Sequence, residues 1–172
     1  GMTPSTSPQL RIRAALASDV RGIQALREPS EGKVLLHHDL VGLFEKVQEF
    51  MVVEDQSGKL LAAGALHIMW EDLAEVRSIV VSAEARGRGV GLALVGALLA
   101  RAEQLGIKRV FCLTFEVGFF AKLCFEEISD VPVDEATFAE MVRSNDDGVA
   151  EFLDLARVKQ NTLGNTRMLK VL

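Results

Sequence analysis

Six consecutive residues, Arg86-Gly87-Arg88-Gly89-Val90-Gly91, combine cations with glycines, and the flanking segments decide what they can do. Before them, the apolar run Val76-Arg77-Ser78-Ile79-Val80-Val81 reads as extended chain. After them, Leu92, Val95, Leu98, Leu99, Ala102 and Leu105 mark one side of a helix. Strand, glycine turn and helix together make a phosphate-binding device. Glycines let the backbone pass close to a ligand, and the unpaired N–H groups and positive dipole end of the helix meet its negative charge. Three glycine-rich patterns compete. A P-loop closes with Gly-Lys-Ser/Thr, but Leu92 follows Gly91. A dinucleotide fingerprint counted from Gly87 puts bulky Leu92 where close helix–strand contact needs a small residue. That fingerprint also belongs on the first strand of a βαβ unit, and this one falls mid-chain. The third pattern, Gln/Arg-x-x-Gly-x-Gly/Ala, is met by Arg86, Gly89 and Gly91.

The elements that must position this loop follow from periodicity. Leu10 to Ala14 alternates as a first strand, and Ser18 and Asp19 offer a cap to a helix carrying Val20, Ile23 and Leu26. Glu28 to Gly32 breaks that helix. A second helical stripe holds Leu40, Leu43, Phe44 and Val47, with Asp39 at its start. Phe50 to Glu54 is a strand, turned by Asp55-Gln56-Ser57-Gly58 into a longer one from Leu60 to Trp70. Glu71 and Asp72 turn the chain again into a strand ending at Ser82. Beyond the glycine loop and its helix, Gly106 is the stop signal and Arg109 to Phe115 a fully apolar strand. A short helix through Phe119–Leu123, a strand over Phe125–Ile128 and a helix opened by Pro132 and Asp134 come next. Ser144 to Asn165 is ambiguous, and Arg167 to Leu172 reads as a terminal strand.

With 172 residues, 49% of them apolar and 25% charged, the chain is expected to form one ordinary globular domain over residues 10–172. Residues 1–9 read as a disordered leader, with Gly1 ahead of Met2 as an expression scar. The net charge of −5, with dispersed cations, argues against nucleic acid as a partner. No apolar run approaches the ~20 residues of a membrane span, and no signal peptide is visible, so a cytoplasmic protein is expected without a membrane partner. Cys112 and Cys124 suggest neither a disulfide framework nor a zinc site, and Cys112 reads as a small core residue. His37, His38 and His67 lack metal-ligand spacing, so no metal is expected.

The Arg86, Gly89, Gly91 pattern resembles the acetyl-coenzyme A loop of the GNAT family of N-acetyltransferases. The segment Phe115-Glu116-Val117-Gly118-Phe119-Phe120-Ala121-Lys122-Leu123-Cys124-Phe125 is similar to the strand end and short helix that follow in that family. The resemblance implies an α/β GNAT fold: a mixed, mostly antiparallel central sheet of about six or seven strands flanked by helices. It implies acetyl-CoA as cosubstrate. Backbone N–H groups of Arg88, Gly89, Val90 and Gly91 would bind the pyrophosphate, Gly87 would shape the turn, and Arg86 and Arg88 would add charge. Ile79, Val80 and Val81 would offer strand backbone to the pantetheine amides. Phe120 stands where many relatives carry a tyrosine that protonates the departing thiolate. The chain has no tyrosine, so water, another side chain or nothing specific does this. Cys124 occupies a position usually held by glycine. An acetyl-carrying role for it lacks a nearby base, and direct transfer in a ternary complex is the expected course.

Direct transfer needs a neutral amine, hence an acid–base group. Family members commonly carry an acid where Glu75 stands. An exposed strand terminus is the competing role, and Glu116 is the second catalytic candidate. Arg77, on the same strand face as Glu75, can pair with it or bind a substrate carboxylate. Four segments, Val47–Phe50, Gly64–His67, Arg109–Glu116 and Leu163–Leu169, together resemble the N-acetylglutamate synthases, in particular their short form. This similarity runs from Leu10 to Leu172. It implies L-glutamate as the small-molecule substrate and the first step of arginine biosynthesis. The longer synthases add a kinase-like domain that binds arginine, so arginine regulation by that route is not implied here. It places substrate carboxylate contacts at Asn165, Thr166 and Arg167, and at Lys33 and His38, where relatives have a basic residue near His38. Two other functions stay open: acetylation of another amino acid or amine, and a non-catalytic acyl-CoA sensor. Oligomeric state is not fixed by the sequence, a homodimer being one option.

Overall fold

The computed structural model describes residues 9–30 and 40–172. In chain order its elements are β1 (Arg11–Ala14), α1 (Val20–Arg27), α2 (Leu40–Glu45), β2 (Phe50–Glu54), β3 (Leu60–Trp70), β4 (Leu73–Val81), α3 (Val90–Gln104), β5 (Arg109–Thr114), α4 (Val117–Ala121), β6 (Glu126–Glu127), α5 (Glu135–Met141), α6 (Asp147–Phe152) and β7 (Thr166–Val171). The strand order is β1-β2-β3-β4-β5-β7-β6. β4 and β5 pair in parallel, whereas β1–β2, β2–β3, β5–β7 and β6–β7 pair antiparallel, which is the expected mixed α/β sheet. Among the described residues no helix is long and apolar enough to cross a membrane. The leader expected over residues 1–9 lies outside the described residues except for Gln9.

Two compact units are distinguished. The first takes the described residues up to Ala65 together with Ser78–Leu98. Its core joins Val20 and Ile23 of α1, Leu43 of α2, and Phe50, Val52, Ala63, Ala65 and Val80 of the strands. β3 is built from small residues here for a packing reason. A Cβ on Gly64 would lie 3.2 Å from Leu98 and 3.3 Å from Leu94 and would overlap Ile79, so the strand leaves room for the leucines of α3. In α1 the buried positions are Val20, Ile23 and Arg27, with Leu26 only partly covered. Asp19 does not cap α1 with its side chain. Its carboxylate accepts from the Leu16 N–H at 2.7 Å and from Arg13 at 2.7 and 3.0 Å, which ties β1 to the short turn ahead of the helix.

The second unit takes Leu66–Arg77 with Leu99–Leu172. β5 is its central strand, parallel to β4 from Leu73↔Arg109 to Glu75↔Phe111 and antiparallel to β7 from Arg109↔Val171 to Thr114↔Thr166. Its core gathers Leu73, Phe111, Met141, Val149, Phe152 and Leu153. The stretch left ambiguous by its sequence contains α6. Asp146 caps α6, its carboxylate accepting from the Val149 N–H at 3.1 Å.

α3 ends at Gln104, and Leu105, expected on the apolar face, is 55% exposed in the closing turn set by Gly106. The buried positions of the helix are Val90, Leu94, Val95, Leu98, Leu99 and Ala102. The strand expected over Phe125–Ile128 shrinks to the exposed pair Glu126–Glu127, a short charged edge strand.

Candidate active site

The glycine loop belongs to the first unit. β4 ends at Val81, a single turn of tight helix runs Ala83–Ala85, and Arg86 to Gly89 swing the chain into α3 at Val90. Ala85 and Val90 are buried and anchor the two ends, whereas Arg86, Gly87, Arg88 and Gly89 are exposed. Gly87 has φ 77° and Gly89 φ 75°, values that L side chains rarely adopt. A Cβ at either position would meet nothing within 4 Å. These glycines serve backbone shape and an open approach, not close packing. The first N–H groups of α3 have no partner inside the helix and point out at its start, as an anion site requires.

A second constellation lies in the other unit, around Glu75. Glu75 is only 2% exposed, although it is an ionisable residue, the third of its strand. Arg77, two residues on, donates from Nη1 to Glu75 Oε1 at 3.3 Å. The same nitrogen reaches both oxygens of Asp146, at 2.9 and 2.8 Å. His67 on β3 brings Nε2 to 3.6 Å from Asp146 Oδ2. Gly148, in the first turn of α6, closes over the pair. A Cβ there would lie 2.9 Å from Glu75 Cδ and 3.0 Å from Arg77 Nη1. Directly after Arg77, Ser78 takes φ 57°, a left-handed conformation inside a strand.

Residues 19–126 match the sequence model of the acetyltransferase (GNAT) family. The chain belongs to the GNAT acetyltransferase family. Among relatives of this acetyltransferase, the amino-acid acetyltransferase of Mycobacterium tuberculosis (strain ATCC 25618 / H37Rv) is 51% identical over 163 residues, covering 94% of each chain. The crystal structure of Rv2747 from Mycobacterium tuberculosis, in complex with CoA and NLQ, has a TM-score of 0.91 at 51% identity, over 94% of this chain and 99% of that one. The N-acetylglutamate synthase of Neisseria gonorrhoeae, complexed with coenzyme A and N-acetyl-glutamate, has a TM-score of 0.77 at 25% identity. That match covers 98% of this chain but 36% of the larger synthase.

Within this GNAT enzyme the electrostatics of the acid cluster are uneven. Burial pushes the Glu75 carboxyl up to about 8, with the negative Glu151 and Asp146 adding to it and Arg77 and His67 opposing it. Burial likewise raises Glu151, on α6, to about 7, with Asp147 adding its charge. Asp146 goes the other way. Burial alone would raise it, but the charge and hydrogen bonds of Arg77, with His67 and the Val149 N–H, hold it below the usual carboxylate range. The cluster therefore holds one fixed anion beside a carboxyl that takes and releases a proton near neutrality, which suits acid–base work on an amine.

The other expected site residues scatter in character. Glu116 is exposed at the end of β5, and its backbone N–H donates to Thr114 Oγ1 at 2.7 Å. Phe120 is buried on α4, edge-on to Phe119 and Phe125. Asn165 and Thr166 are half-buried at the start of β7. Arg167 donates to the backbone carbonyls of Glu151, at 3.1 Å, and Phe152, and lies 5.9 Å from the Phe111 ring centre. Lys33, His37 and His38 lie outside the described residues. Asp146, Gly148 and Glu151, which join this constellation, are not legible as candidates in the sequence because α6 is not, and nothing in the sequence singles out His67. The Asp146 and Val149 spacing, a cap ahead of an apolar pair, is the signal that would have exposed the helix.

Proposed function

We propose that this acetyltransferase moves the acetyl group of acetyl-CoA to the α-amine of L-glutamate, in a ternary complex and without an acetyl-enzyme. The carrying observation is the buried Glu75 carboxyl, paired with Arg77 on the strand that runs on into the glycine loop. The named relatives support the substrate class: one is an amino-acid acetyltransferase, and the gonococcal synthase was crystallised with coenzyme A and N-acetyl-glutamate.

In this reading Arg86 to Gly91 hold the pyrophosphate through backbone N–H groups and charge, Ile79 to Val81 pair with the pantetheine amides, and Phe120 is a further contact to the cosubstrate. Glu75 accepts a proton from the substrate ammonium through an intervening water. The amine nitrogen then attacks the thioester carbonyl carbon, the C–N bond forms, and the C–S bond breaks. The second amine proton leaves to solvent, and the thiolate takes one from solvent, since the chain has no tyrosine to supply it. Glu116, exposed, is the alternative base. Arg77 is held between two carboxylates and serves the base more directly than a substrate carboxylate. Thr166 and Asn165, with Lys33 and His38, are the proposed contacts to glutamate. Arg167 shares that role with its grip on α6.

Coenzyme A release measured over all common amino acids tests this reading. Turnover should be highest with L-glutamate and give N-acetylglutamate. A faster rate with any other amino acid, glutamine included, would remove the glutamate assignment.

A further inference from the structure

We infer that α6 is the element that sets the catalytic base, and that Gly148 is its positioning residue, the one site on the helix where a side chain cannot stand. The inference rests on Glu75 being the base and adds what holds it there.

Glycine is a poor helix former, and at position 148 no left-handed backbone explains it: its φ lies outside the positive range that marks Gly87 and Gly89. Space explains it. Any Cβ would overlap Glu75 Oε1 and crowd Glu75 Cδ at 2.9 Å and Arg77 Nη1 at 3.0 Å. Those atoms are not loose side-chain ends. Glu75 is buried, and Arg77 Nη1 is pinned by both oxygens of Asp146. Asp146 is in turn the cap of α6, so one carboxylate fixes the helix start and the arginine together. The other end of α6 is held as firmly. Arg167 donates to the Glu151 and Phe152 carbonyls, and Phe152 is fully buried edge-on to Phe111 at 5.3 Å. A helix fixed at both ends cannot back away from an added methyl group, so the carboxyl must move instead.

Glu75 is faced by Arg77 on its own strand, His67 on β3, Asp146 and Glu151 at and on α6, and Cys112 on β5. Displacing the carboxyl from Arg77 removes the attraction that favours its ionised form, so it should release its proton at higher pH.

The test is a double-mutant cycle on the intact enzyme with Gly148→Ala and Glu75→Asp, read by kcat, its pH profile and acetyl-CoA affinity. Alanine is the better helix former, so Gly148→Ala should fold. Its kcat should fall at least about tenfold, with the acid limb of the pH profile moved upward and the calorimetric Kd for acetyl-CoA within about twofold of wild type. Aspartate is shorter by one methylene and clears the added Cβ, so the double variant should be more active than the product of the single effects predicts. A wild-type pH profile in Gly148→Ala, or strict additivity in the cycle, would overturn the positioning role. Glu75→Gln, assayed alongside, separates the two readings. If it loses turnover while Gly148→Ala does not, only the positioning role is wrong. If it keeps turnover, the base assignment falls and this inference with it.

Discussion

A carboxyl removed from water keeps its proton longer than one in water, and Glu75, the proposed base, is such a carboxyl. An ordinary glutamate would be ionised at neutral pH and too weak a base to draw a proton from an ammonium. Raised to about 8, Glu75 approaches the proton affinity of the amine in the proposed reaction. Turnover should therefore rise with pH up to about 8, and Glu75→Gln should lower kcat by roughly 10² to 10⁴-fold with acetyl-CoA binding nearly intact. Wild-type turnover in that variant at neutral pH would transfer the role to Glu116 or to bulk water. Stability carries the same signature. The folded carboxyl titrates above its unfolded value of 4.5, so the native state binds the extra proton between 4.5 and about 8. Stability is then lost as pH rises through that window, and the loss is complete above it. Glu75→Gln should abolish this term, so its melting temperature relative to wild type should climb between pH 5 and pH 9. A constant offset across that range would contradict the assignment. The sequence could name Glu75 and Arg77 because they sit two apart on a strand. It could not show that Glu75 is buried, because burial depends on α6, some seventy residues away in the chain.

Elements end where the backbone lets them, and here several helices end in the same way. At α3, Ile107 N–H reaches back to Ala102 O at 3.0 Å and Gly106 N–H to Glu103 O at 3.1 Å, with Gly106 at φ 82°. α4 repeats the pattern with Phe125 to Phe120 at 3.1 Å and Cys124 to Ala121 at 3.0 Å, Cys124 taking φ 67°. α6 repeats it with Leu155 to Ala150 and Asp154 to Glu151, Asp154 taking φ 58°. The left-handed position of this closing motif suits glycine. Gly106 was therefore legible as a stop in the sequence, while Cys124 and Asp154 were not. This also gives a physical reason why a glycine would suit position 124. Cys124→Gly should raise stability by about 1 kcal/mol in denaturant unfolding with kcat unchanged. A lower unfolding midpoint would contradict it. The glycine loop makes the converse prediction. Gly89→Val forces a β-branched side chain to φ 75°, and should weaken acetyl-CoA binding roughly tenfold by calorimetry, unchanged affinity being the contrary result.

At the scale of the whole chain, the fold was legible from strand periodicity, the glycine loop and the Gly106 stop, since these are local signals with local causes. The expected bounds of β2 and β3 match Phe50–Glu54 and Leu60–Trp70. What was not legible is long-range: the acid cluster joins Glu75 and Arg77 of β4 to His67 of β3 and to Asp146 ahead of α6. Membership of the GNAT family follows from residues 19–126, and the tuberculosis relative extends the likeness over nearly the full length. Glutamate is the finer claim, and its side-chain carboxylate is what distinguishes it. A pocket built to pair a carboxylate leaves its own donors unsatisfied when that group is missing, and rejects the analogue strongly. The most direct measurement compares L-glutamate with L-2-aminobutyrate, which keeps the α-amine and α-carboxylate but ends in a methyl group. A kcat/KM for glutamate more than about a hundredfold higher is expected, with N-acetylglutamate as the product. Equal kcat/KM for the two substrates would contradict it and leave an acetyltransferase that does not read the glutamate side chain.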